Sequence, residues 1–485
     1  MADEIHARVL KGVGAHALGV GIVMFARIIY PPLFLRAWGV ELYGEWLILS
    51  SAVIYLALVD FGGQMYVANR LTEAYAKSQL ELFKKLLNTG LALFVLLPTV
   101  VFILFMTVIT WGSPTLSLPL TQTSVGTVFW VLTILALQIC LSLPLGMLSG
   151  VYRAVGMLPR SAMLNNWSQL LQLALVSLGL WLSWGMVAIA AMHAIPIFVI
   201  GVVTLRELRR RFPGFVDFHS VDWRITKEFI VPSAHFFSIQ LSQTLTFQGV
   251  LVIVGVTLGA VPVVLFSAMR TVTNSMRQVL ATFMSSVWPE MTRFFSHDET
   301  EKLRTLFRVT LRSTLVSAVV FIAIFHYFGD VIFHLWLGNK VEYQQFYMDL
   351  FLIYVFQLVF WMSCSHLLMS INKHHEVSIL LLVTSACAIF FAYVGAKSYG
   401  LAGVIGGLIL ADLMLPLWVM PLIVRKYLRS FTFDFFVGEL FPAGLALGLI
   451  LLSPWTIPVV GLGLAVWLFR SMPLGSTHKL GRIFR

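Results

Sequence analysis

Arg270 and Arg277 stand seven residues apart in a segment, 261–289, that is otherwise apolar enough to be a membrane span. A guanidinium stays charged at every physiological pH, and its planar fork matches two phosphate or carboxylate oxygens at once. Holding one at mid-bilayer costs roughly 2.5–3.5 kcal/mol on insertion scales, so a span that keeps two must offer them a polar surface. Seven residues is close to two helical turns, which places both guanidiniums on one face with Asn274, and Thr273 beside them. The chemistry this pattern fits is capture of an anion inside the membrane.

Other polar residues extend the pattern. The preceding run, 230–256, carries His235 and Gln243 among Ser238, Gln240, Ser242, Thr244, Thr246 and Gln248. So many polar side chains in one span are expected to line a wetted cavity, with interhelical hydrogen bonding as the plainer alternative. Arg27, in the first span, and Arg270 fall in the outer half of the membrane at about 1.5 Å per residue, with Arg277 near the midplane. A cavity between the chain's halves would collect all three, unless Arg27 snorkels to a headgroup. Asp60 and Asp412 are the acids placed deepest, each a candidate for H+ or Na+ coupling or for a structural bond. Tyr354, Gln357, Trp361 and His366 form a weaker set that could meet sugar rings.

The elements that position these residues follow from composition. The chain is 59% hydrophobic and 11% charged, with a mean hydropathy of +0.89, which excludes an ordinary soluble protein. Its three cysteines all lie in apolar runs and suggest neither a disulfide framework nor a metal site. The first apolar run lacks a small-residue cleavage site and reads as a retained helix. No P-loop or hydrolase motif is present, so the expectation is a non-enzyme without a bound cofactor.

Twelve runs are long enough to span, near 12–35, 44–68, 88–111, 125–150, 163–183, 185–205, 230–256, 261–289, 309–328, 350–371, 377–397 and 401–423, and two shorter, Pro-containing runs near 435–453 and 455–470 bring the expected spans to fourteen. Assigning the loops alternately puts 27 Lys and Arg on one side and three on the other. The positive-inside rule then sets both termini in the cytoplasm, and it absorbs a net charge of +11 that would otherwise suggest nucleic acid. The pattern also repeats at an offset of about 220, with Gly39–Gly44 against Gly259–Val264 and Phe83–Leu87 against Leu303–Phe307. Six spans per half means that both halves share one orientation. The expected organisation is a six-helix lobe (1–205), a cytoplasmic linker (206–229), a second six-helix lobe (230–424), and two additional helices with a cytoplasmic tail (425–485). The charged linker segment reads as an interfacial helix held by headgroups.

The stretches Gly39-Val40-Glu41-Leu42-Tyr43-Gly44-Glu45-Trp46, Tyr55-Leu56-Ala57-Leu58-Val59-Asp60-Phe61-Gly62 and Ala68-Asn69-Arg70-Leu71-Thr72-Glu73-Ala74-Tyr75 resemble the N-terminal signature of Wzx-type polysaccharide flippases. These are the O-antigen and capsule translocases of the multidrug/oligosaccharidyl-lipid/polysaccharide exporter superfamily. The resemblance covers the first eighty or so residues. It implies an all-α polytopic membrane protein with two six-helix lobes around a central cavity, alternating access, and a polyprenyl-pyrophosphate-linked oligosaccharide as substrate. It also implies a bacterial inner membrane, contact with membrane lipids, no nucleic acid, and a downstream glycan polymerase or ligase as partner. Cationic cavities suit this branch, and Arg27, Arg270 and Arg277 match it in kind only. Three rivals stand beside it, one of them a non-transporting scaffold, which would not need charge at the midplane. A drug or cation exporter of the same superfamily would line its cavity with carboxylates and aromatics. A membrane glycan polymerase or ligase would need a sizeable charged outer loop, and the outer loops hold only three Lys or Arg.

Overall fold

The computed structural model describes the backbone of residues 2–112, 120–217, 220–226, 237–453 and 456–469, and their side chains except at 2–13, 16, 65, 112 and 285. Every regular element among the described residues is helical. The first part of the chain forms α1 (Ala2–Ile54), a 3-10 turn (Tyr55–Asp60), α2 (Gly63–Ala76), α3 (Leu80–Gly112), α4 (Val125–Ala154), α5 (Leu158–Trp181) and α6 (Met186–Arg211). A π-helical turn (Leu245–Gly249) leads into α7 (Val250–Leu258) and α8 (Ala260–Ser296). Then come α9 (Thr300–Leu337), α10 (Gln345–Ser370), α11 (His374–Met414), α12 (Pro416–Tyr427), α13 (Phe433–Leu452) and α14 (Ile457–Phe469). Among the described residues, nine helical segments are long and apolar enough to cross a membrane. The chain is an all-α polytopic membrane protein.

Each expected span has a helix, with informative differences. The first two spans are joined in α1, which breaks at Gly39 with φ 78° and ψ −174°. The eleventh and twelfth are joined in α11, which breaks at Gly400 with φ 59° and ψ −138°. Both glycines sit at positive φ, where a Cβ is disfavoured. The second span is not continuous: after the 3-10 turn, Phe61 and Gly62 take φ 47° and 70° before the helix restarts at Gly63. The last apolar run forms a 13-residue helix, which rises only about 20 Å. Neither α5 nor α8 ranks among the nine, because amides interrupt the first (Asn165, Asn166, Gln169, Gln172) and Arg270, Asn274 and Arg277 interrupt the second.

The repeat is visible in the backbone. Gly39 has its counterpart at Gly259 (φ 91°, ψ −175°), 220 residues on. Ser78 and Asp298, also 220 apart, share the left-handed conformation at φ 58° and 55°. The closing bonds around them match as well: Gln79 N donates to Ala74 O and Glu299 N to Phe294 O, each at 2.9 Å. The pattern of helix breaks thus recurs at an offset of 220 residues.

Packing divides the chain into two compact units, 1–264 and 265–485. In the first, helix α6 takes in 206–211 of the interfacial helix expected for 206–230, while the described residues after it, 212–217 and 220–226, are mostly turns that dock on α3. The fully buried Asn88 donates to Phe215 O (2.9 Å) and Ser220 Oγ (2.8 Å) and accepts from Asp217 N (2.8 Å). Thr89 accepts from Asp222 N at 2.9 Å. Phe83 meets Phe215 with ring centroids 5.2 Å apart. This unit also encloses Glu45, an acid that sequence reasoning passed over. Its carboxylate accepts from Thr121 N (2.6 Å), Gln122 N (2.8 Å) and the Thr123 hydroxyl, tying the loop before α4 to α1.

In the second unit, the two additional helices are attached through charge. The buried Glu439 of α13 accepts a forked pair from Arg312 of α9 (2.5 and 3.0 Å) and lies 3.4 Å from Arg308. Arg312 also donates to Trp467 O of α14 at 2.7 Å. Breaking such a pair strands a buried charge, so it fixes the attachment firmly.

The Asn88 network generates a prediction. Asn88→Leu removes three buried bonds to the linker segment, each worth about 0.5–1.5 kcal/mol. The variant should unfold at a lower temperature and lose protease resistance at 212–226. A wild-type midpoint and cleavage pattern would show that the docking of this segment rests elsewhere.

Candidate substrate-binding site

The face expected from the spacing of Arg270, Asn274 and Arg277 forms on α8, and all three side chains are partly buried. Arg270 extends over the Phe266 ring, 5.6 Å from its centroid, a position that balances part of the charge against a π face. The neighbouring Thr273 is buried and its hydroxyl donates to Arg270 O at 3.0 Å. Ser275 and Thr271 likewise return their hydroxyls to carbonyls of the preceding turn. These residues therefore satisfy themselves within the helix and leave the arginine face as its chemically distinctive surface.

Helix α10 lies along α8. Phe266 meets Phe351 (centroids 5.2 Å), Trp288 meets His366 (6.0 Å), and Thr292 donates to Ser370 O (2.8 Å). Between these contacts, Tyr354 is buried within electrostatic range of Arg270, Arg277 and Asp412. Asp412, buried on α11, accepts from Trp361 Nε1 at 2.8 Å. Tyr354 thus has both arginines and Asp412 within electrostatic range, and Asp412 is held by Trp361. An arrangement of this kind can hold an anion at the guanidiniums and carry a proton or small cation at the carboxylate.

The other sequence-derived candidates fall in different settings. Arg27 is exposed on α1 beside the exposed Phe25 and Ile28, in the first unit. Asp60 ends the 3-10 turn and accepts from Gln64 N at 3.1 Å, which caps the restarting helix. Gln243 is exposed just before the π-helical turn, and Ser242 returns its hydroxyl to Ser238 O. His235 lies outside the described residues. Trp361 uses its indole N–H on Asp412, while Gln357 is buried with its Oε1 unpartnered. The pairing of Trp361 with Asp412 spans 51 residues, and no local pattern could have announced it.

No family model and no curated protein sequence matches the chain. Solved structures do. An inward-facing multidrug resistance MATE family transporter of the MOP superfamily superposes with a TM-score of 0.69 at 16% identity, over 86% of this chain and 94% of that one. An outward-facing one superposes at 0.57 and 14% identity, over 88% and 96%. A MOP superfamily transporter from Pyrococcus furiosus Vc1, whose reversed binding-pocket polarity suggests a different function, superposes at 0.57 and 14% identity, over 87% and 96%. At these identities it is the fold that is shared: the chain has the two-lobed, MATE-like fold of MOP superfamily transporters.

Proposed function

We propose that this protein is a flippase of the bacterial inner membrane, with both termini cytoplasmic, that moves a polyprenyl-pyrophosphate-linked oligosaccharide to the outer leaflet by alternating access. The observation that carries this reading is the cationic face of α8, where Arg270 and Arg277 flank Asn274 on one side of a continuous helix. A pyrophosphate offers several oxygens to forked, charge-assisted donors. The lipid tail stays in the bilayer while the head group crosses. The inward- and outward-facing structures of the same fold support alternation, and the N-terminal signature supports the lipid-linked substrate. Binding must differ little between the two facing states, or the substrate would be trapped. Drive comes from an ion gradient or from removal of the product by a downstream polymerase or ligase.

A second reading has one observation in its favour. Asp412, buried against Trp361 and near Tyr354, has the carboxylate-and-aromatic character of a cation or drug exporter. In the flippase reading the same acid is the coupling site. Asp412→Asn keeps the shape and the Trp361 acceptor but removes the charge. It should abolish gradient-driven transport while leaving binding of an anionic lipid intact; unaltered coupling would reduce Asp412 to a structural residue.

The arginines give the direct test. Arg→Lys keeps the charge and loses the fork, so Arg270→Lys and Arg277→Lys should impair glycan export in part. Arg→Ala removes a charge-assisted bond to a desolvated anion, worth about 2–5 kcal/mol, and should cut export roughly thirty- to several-thousand-fold per membrane-inserted molecule. The exposed Arg27 should show a smaller loss. Full export per molecule in both Arg270→Ala and Arg277→Ala would refute the anionic-substrate reading.

A further inference from the structure

Helix α5 carries a polar stripe that neither the charge pattern nor the N-terminal signature explains. Asn165, Gln169 and Gln172 recur at the same i, i+4, i+7 spacing as Arg270, Asn274 and Arg277 on α8. They therefore share one helical face, and the stripe is uncharged. Its neighbours within the first unit are aromatic. Gln172 Nε2 meets His193 Nδ1 of α6. The His193 ring lies 5.6 Å from Trp46 and 6.1 Å from Tyr30, both on α1. Behind them, Phe34 stacks on Trp46 at 5.7 Å and on Tyr43 at 4.9 Å, making a rigid wall.

Two polar atoms in this cluster are buried and bonded to nothing among the described residues: His193 Nε2 and Gln169 Oε1. An unpaired buried polar atom costs about 1–3 kcal/mol, and native structures hold few of them. Here two fall together beside a partly buried tyrosine. The surrounding polar bonds do not explain them. Asn166, one residue off the stripe, is fully used in packing, donating to Ala15 O of α1 at 2.7 Å. The amide face next to it is left over.

We infer that Gln169, Gln172, His193 and Tyr30 form a recognition site for neutral sugar hydroxyls, separate from the arginine face of α8. Amides and a neutral imidazole both donate and accept, as a hydroxyl requires, and a phenol ring offers an apolar face to sugar C–H groups. The stripe carries no charged side chain to balance a phosphate, whereas its amides match the donor and acceptor character of a hydroxyl. The sugar site lies wholly within the first unit, on α1, α5 and α6, and takes the saccharide part of a substrate. The inference rests on the flippase reading for the nature of that substrate.

The test uses the full-length protein in lipid nanodiscs and two probes, bare polyprenyl pyrophosphate and the same lipid carrying two neutral hexose units. The unaltered chain should bind the glycosylated probe at least about tenfold tighter, the sum expected for two hydrogen bonds. Gln169→Leu with Gln172→Leu, close in volume and favourable in a membrane helix, should bring the two affinities within about twofold while leaving the bare lipid unaffected. Tyr30→Leu, which removes the aromatic face, should shift the ratio in the same direction. Equal binding of both probes by the unaltered chain, or a preference that survives both variants, would overturn the sugar site and leave the arginine face standing. Failure to bind either probe would overturn both. Loss of bare-lipid binding in Arg270→Ala, with the probe ratio preserved among residual binders, would support the separation of roles.

Discussion

Charge is expensive inside a bilayer, and that one constraint organises this protein. Helix α8 keeps two guanidiniums where an ordinary span would keep leucines, and for that reason it does not rank among the segments apolar enough to cross on their own. Such a helix is stable in a membrane only if its polar face meets protein, water or ligand. The second unit supplies part of that environment: the Phe266 ring under Arg270, the buried Tyr354 within range of both arginines, and Asp412 held by Trp361. Elsewhere the same constraint is met by closed pairs. Glu45 is saturated by the loop at 121–123, and Glu439 by Arg312 and Arg308. Those acids fix structure, and the arginine face of α8 is the one we propose for the substrate.

The two halves share a pattern of helix breaks and differ between them. Helix breaks recur at Gly39 and Gly259, and at Ser78 and Asp298, with nearly the same dihedrals. Between these paired breaks the copies differ. The first half unwinds at Tyr55–Gly62, where Asp60 caps the restart. The second runs unbroken from Ala260 to Ser296 and bears the arginines. A continuous helix holds side chains at fixed spacing along one face, which suits a grip on an anion. The recurring breaks give the two halves a common scaffold, and the charge sits on a single helix of the second.

What the sequence made legible was periodic and local. Apolar runs gave the spans, charge asymmetry gave an orientation, and the i, i+4, i+7 spacing placed Arg270, Asn274 and Arg277 on one face before any coordinates. Glycine at the turns was readable because Gly39 and Gly259 match in register. What escaped was set by partners far apart in the chain. Glu45 meets its donors 76 residues on, Asn88 holds a segment 127 residues on, and Arg312 meets Glu439 across another 127. The linker was misread as an interfacial helix because its charge suggested headgroups, while the anchoring residues, Asn88 and Thr89, lie on α3. The amides of α5 were visible in the sequence, but nothing local tied them to His193 or Trp46.

The account stands on the direction and chemistry of what crosses the membrane. Its most direct test is the leaflet distribution of the polyprenyl-pyrophosphate-linked oligosaccharide in cells depleted of this protein, read by access of an impermeant glycan-modifying probe from the outer face. The account predicts that the lipid-linked intermediate accumulates in the cytoplasmic leaflet, shielded from the probe, and that restoring the protein returns it to the outer face. An intermediate that reaches the outer leaflet at the normal rate without this protein would contradict it.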